Sequence, residues 1–127
     1  MERLRKISPY LLAFILSFAG LAHFFKPDFF HALMPLWFPL PAEMVTATGI
    51  LELVLAGMLL IPSSRRIAAF CVTLLFIVYE IVHVDMVVNY ERLAGTEAEI
   101  PLAAAWVRML FQFPLIIWAA WIGKQIS

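Results

Sequence analysis

Several side chains that do acid–base or ligand chemistry fall inside apolar runs of this sequence: His23, Glu52, Glu80, His83, Arg108 and Gln112, with Asp85 nearby. Glu52 stands in "GILELVLAGMLLIP", Gly49 to Pro62, where every other residue is apolar, glycine or proline. Glu80 and His83 form an E-x-x-H pair, the i, i+3 arrangement by which di-iron four-helix bundles aim both side chains at metal. A di-iron centre wants a second such pair. Here only Glu52 and His23 are left, which completes at most a mononuclear metal set of Glu80, His83, Glu52 and His23. His23 and His83 are also of the type that ligates haem, although they lie at different depths. A quinone asks for less: donors near a carbonyl, a titratable group to exchange protons, and an apolar channel for the tail. On that reading Glu52, Glu80, His83 and Arg108 are the candidate catalytic groups, and His23 and Gln112 the candidate ligand-binding ones. The competing reading is that these groups neutralise one another and fix helix register.

The elements that must position them are membrane spans. With 64% hydrophobic and 14% charged residues in 127, and a mean hydropathy of +0.93, the chain has too little polar surface to cover a water-soluble globule. Apolar segments at 7–26, 42–61, 66–90 and 102–122 are each long enough to cross about 30 Å of hydrocarbon at about 1.5 Å per residue. The expected fold is all-α: a single-domain, four-transmembrane-helix integral membrane bundle. Between the first two spans, "PDFFHALMPLWFPLP" suits a short interfacial helix. Pro27 takes a first helical position there, and Phe29, Phe30, Leu33, Trp37 and Phe38 supply the apolar side. The opening basic residues and apolar run read as a span and not a cleaved leader, because the run exceeds a usual leader core.

Charge sets the expected orientation and excludes some functions. Arg3, Arg5, Lys6, Arg65, Arg66 and Lys124 fall on one side of the spans, and Lys26 and Arg92 on the other, so both termini are expected to be cytoplasmic. Arg65 and Arg66 read as topology anchors. The 9 basic and 9 acidic residues balance, leaving no footprint for nucleic acid. The single cysteine, Cys71, sits in an apolar run and has no internal partner for thiol redox chemistry.

Helical spacing groups the polar residues. Gly49, Glu52 and Ala56 share a face, as do Phe76, Glu80, His83 and Val87, and Ala105, Arg108 and Gln112. Glu52 and Gln112 each lie about 15 Å from one end of their spans, near the midplane. His23, His83 and Arg108 lie nearer the non-cytoplasmic end. A polar pocket opening to that side is expected, with Glu52 and Arg108 as mutual partners. Asp85, about 200° around the helix from His83, is expected to point away as a solvated or oligomer-facing charge.

The segments "GLAHF", "KPDFF", "MPLWFPLP", "TGILELVLAGMLLIPSSRRIAA" and "VRMLFQFPLIIWA", in that order, resemble the DoxX family of small four-helix membrane proteins. The resemblance implies family-like positions at His23, Glu52, Arg65 or Arg66, Arg108 and Gln112. It also implies a bacterial cytoplasmic membrane and a quinone-linked, redox-associated role beside a partner oxidoreductase or as a homo-oligomer. The third span departs from the family's asparagine-containing pattern, with "YEIVHVDM" placing His83 where the asparagine falls. Two alternatives stand beside the redox role: a non-catalytic assembly or chaperone-like protein, and an acid–base or metal-dependent enzyme acting on a lipid-like substrate. Whether the chain is itself catalytic is left open by its residues.

Overall fold

The computed structural model describes residues 2–125, which form helices and connecting turns with no strand among them. Helix α1 spans Glu2–Phe25, α2 Pro27–Leu33, α3 Pro41–Leu60, α4 Arg65–Val88 and α5 Leu102–Gln125, with one 3-10 turn at Tyr90–Leu93. Proline opens both α2 and α3, where its missing N–H costs nothing because first-turn N–H groups have no helical partner. At the other end of α3 the unpaired carbonyls are met by the next helix. Ser64 Oγ donates to the Met58 carbonyl at 2.9 Å, and Arg65 Nε to that of Leu59 at 2.7 Å. Arg65 therefore caps α3, in addition to lying over the Tyr10 ring at 5.2 Å.

The four long helices alternate in direction. Helix α1 packs against α3, α3 against α4 and α4 against α5, while α5 closes on α1 by a lighter contact. This is the up-down-up-down bundle, with a short turn between α3 and α4 and longer connections at the other end. One half, toward the ends where α1 begins and α5 finishes, holds an apolar core that includes Leu12, Leu16, Leu59, Val72 and Ile122. Ser8 there accepts a hydrogen bond from Trp118 Nε1 at 3.1 Å, tying α1 to α5. In the other half polar groups enter the interior, and the end is closed by α2, the 3-10 turn and the α4–α5 connection around Met86, Leu93 and Ala98.

The outside is as apolar as the inside. Phe14, Phe18, Phe25 and Ile117 are each about 70% exposed, at 68%, 72%, 76% and 68%. An apolar surface of this extent belongs against lipid. The four long helices have the length and composition to cross a bilayer, so the chain is an integral membrane four-helix bundle.

The expected spans need adjusting at their ends. Helix α1 starts five residues before the apolar run, since Glu2 and Arg5 pair at 2.6 Å and extend it. Helix α4 stops at Val88, with Tyr90 in the 3-10 turn, and α5 runs on to Gln125. The short helix forms over "PDFFHAL", but Trp37 and Phe38 lie beyond it in a turn. That turn ends at Leu40, held in the left-handed region at φ 50° between two prolines.

Candidate functional site: a capped polar core

Two glycines set the geometry. A Cβ at Gly49 would stand 2.8 Å from His23 Cβ, and one at Gly20 would stand 3.0 Å from the Gly49 carbonyl oxygen. Close approach of α1 and α3 therefore requires glycine at both places, the small-residue crossing common between membrane helices. His23 and Glu52 each lie three residues beyond one of these glycines, so the crossing turns them toward each other. His23 Nδ1 is 3.2 Å from Glu52 Oε2, with both side chains under a tenth exposed.

The same ring nitrogen lies 2.7 Å from the Ala19 carbonyl, an oxygen that can only accept, so Nδ1 carries the proton and directs it to its own helix. The approach to Glu52 is thus electrostatic rather than a directed hydrogen bond, and Oε2 is left without one among the described residues. His83 repeats the pattern, with Nδ1 2.8 Å from the Tyr79 carbonyl. Both imidazoles, when neutral, present Nε2 as the basic nitrogen.

Around the His23–Glu52 pair stand side chains from the other helices. The Tyr79 hydroxyl lies beside Glu52 and Thr48, and Thr48 donates to the Met44 carbonyl at 2.8 Å. Arg108 lies near His83, its guanidinium 5.5 Å from the Phe29 ring centre. Gln112 reaches across to α4 and donates from Nε2 to the Phe76 carbonyl at 2.8 Å. Tyr79 Oη, both Glu80 carboxylate oxygens and Arg108 Nη1 are shielded and find no hydrogen-bond partner among the described residues. Buried polar atoms in proteins are nearly always paired, and hydrocarbon offers no water to compensate.

Several expectations require correction. Glu52 is partnered by His23 and not by Arg108: α3 packs on α1 and α4, whereas α5 packs on α4, so Arg108 faces α4 and α2 instead. Asp85 does not face solvent or a second copy. It is buried, accepting from Arg92 Nε at 2.8 Å and Asn89 Nδ2 at 2.7 Å, because the chain after α4 folds back over it. The polar core does not open as a pocket at the α2 end, since Phe30 stacks on His23 at 3.9 Å and Phe29 covers Arg108. A cleft of about 660 Å³ does lie at that end, bounded by Leu36, Trp37, Val88, Arg92 and Leu102, beside the core and not in it. Among the described residues no three His, Cys, Asp or Glu side chains converge on a metal position. The set of Glu80, His83, Glu52 and His23 is therefore not gathered as one metal site: His23 and Glu52 meet between α1 and α3, and Glu80 and His83 lie on α4.

Tyr79 and Thr48 escape a search for charged residues, although Tyr79 lies four residues before His83 and its spacing alone puts it on the same face. The Arg92 contacts, which span sixty residues of sequence, carry no local signal.

Fold and site together define a class: a four-span helical membrane protein with a capped, incompletely paired polar core. The chain belongs to the family described as domain of unknown function DUF8561, whose model matches residues 12–123 and so takes in the greater part of all four spans. No curated protein and no solved structure matches the chain.

Proposed function

We propose that the protein is a DoxX-like, quinone-linked subunit or accessory of a membrane redox system, with the polar core receiving the quinone headgroup. The observation that carries this reading is a set of shielded polar atoms inside the bundle that make no hydrogen bond of good geometry among the described residues, Arg108 Nη1 and, side by side, Tyr79 Oη and Glu52 Oε2. A headgroup with two carbonyl or hydroxyl oxygens is a chemistry that pairs such groups, and its isoprenoid tail suits lipid. When bound, the quinone supplies the electron chemistry. The residues hold and move protons: Arg108 and Tyr79 donate hydrogen bonds to ring oxygens, and Glu52, with His23 beside it, exchanges protons with the headgroup. The likeness of "GLAHF" and "TGILELVLAGMLLIPSSRRIAA" to DoxX segments supports the same reading. The quinone is proposed to come from the membrane of a bacterium, with both termini cytoplasmic, since Arg3, Arg5, Lys6, Arg65, Arg66 and Lys124 lie at one end of the bundle.

Titration of the purified protein with a short-chain quinone, followed by tryptophan fluorescence, tests the proposal. Saturable binding is expected, weakened at least about tenfold in Glu52→Gln and Arg108→Gln, each loss corresponding to about 1.4 kcal/mol. Unsaturable quenching, identical in all three proteins, would return the cluster to a register-fixing role.

A further inference from the structure

Helix α2 contributes no buried residue of its own, has no side-chain cap, and connects through Lys26 on one side and the left-handed Leu40 turn on the other. Yet its two aromatic rings cover the polar core, Phe30 flat on His23 with an interplanar angle of 17°, and Phe29 against Arg108. The helix is held down from outside the first three helices. Arg92, in the 3-10 turn after α4, donates from Nη1 to the Ala32 carbonyl at 2.6 Å and from Nη2 to the Leu33 carbonyl at 2.7 Å. These are last-turn carbonyls of α2, which the helix itself leaves unpaired. Asp85 aims the guanidinium, with Nη2 2.5 Å from Oδ2 and Nε also bonded to it. One arginine thus joins the end of α4 to the end of α2, and it borders the open cleft walled by Leu36, Trp37, Val88 and Leu102.

We infer that α2 is a lid over the polar core, latched by Arg92 on Asp85, and that release of the latch beside the cleft admits a ligand headgroup to His23, Glu52, Tyr79 and Arg108. The inference deepens the quinone reading by regulating the same site, and it rests on that reading for the ligand's identity. Closure itself is physical. The His23–Glu52 pair beneath Phe30 is under a tenth exposed and Arg108 Nη1 against Phe29 is shielded, so a movement of α2 or its rings is what exposes them from that end. Asp85 and Arg92 can reach their counterparts without any group of the core taking part, so the latch can open without dismantling the His23–Glu52 pair.

The test reads access and needs no quinone, so failure of the lid and failure of the quinone reading are separable. In a Cys71→Ala background, Thr48→Cys places a thiol beside Tyr79, below the lid. Its rate of reaction with a charged, membrane-impermeant maleimide is measured in detergent-solubilised protein. Labelling is expected to be slow in the parent and at least tenfold faster in both Arg92→Gln and Phe30→Ala, with faster amide deuterium uptake over residues 28–33 in Arg92→Gln alone. Phe30→Ala removes the plug and leaves the latch, so it decides the matter even if Arg92→Gln does not fold. Labelling of Phe30→Ala at the parent rate overturns the lid.

Discussion

At Gly20 and Gly49 the missing Cβ atoms decide where the neighbouring polar side chains go. With backbones in contact, His23 and Glu52 have no room to turn outward and meet in the crossing; with a methyl group at either glycine the helices must separate, since the obstructing atoms include backbone and a Cβ. Gly20→Ala and Gly49→Ala are each expected to lower stability by about 1–3 kcal/mol, the usual cost of overpacking. Gly57, where a Cβ meets nothing within 4 Å, is the control: Gly57→Ala is expected to be neutral or slightly stabilising. Thermal unfolding in one detergent compares all three, and equal losses at the three positions contradict the crossing. The acid at position 52 was legible in the sequence as a buried group in need of company, and so was the face it shares with Gly49 and Ala56. Its partner was not. Periodicity says which residues share a face but not which neighbouring helix the face meets, and that choice was made by a pair of glycines forty-nine and twenty residues into the chain.

At the scale of elements, the four spans were legible because length and hydropathy leave few alternatives, and α2 because Pro27 opens it. The missed features are contacts between ends. Arg92 looked like a loop charge and Asp85 like an outward one; each is explained only by the other, through a 3-10 turn that the sequence does not announce. Leu40 is a second end effect. An L-residue in the left-handed region costs on the order of 1 kcal/mol, and its side chain, 66% exposed, makes little return contact. Leu40→Gly is therefore expected to raise the unfolding temperature by relieving that strain. A lower unfolding temperature would show that the exposed leucine anchors the turn at the membrane surface.

For the whole molecule, alternation of the helices puts the start of α1, the end of α5 and the α3–α4 turn on one side, and α2 with the α4–α5 connection on the other. Cysteines at Asp28 and Glu97 are expected to react with an impermeant maleimide on intact cells, while those at Ser63 and Lys124 react only after permeabilisation; the reverse pattern contradicts the orientation proposed from the basic residues. The whole also frames what the polar core is for. A bundle can use polar groups merely to hold its register, as Gln112 does by donating to the Phe76 carbonyl across α4 and α5. The groups that hold no partner among the described residues are the ones that the proposed ligand would pair. The most direct measurement is solvent extraction of the protein purified in mild detergent from its native membrane, with quinone counted per chain. The account predicts close to one quinone per chain in the natural protein and a loss of most of it in Glu52→Gln that remains folded. A folded natural protein that carries no quinone above the level of the co-purifying lipid contradicts it.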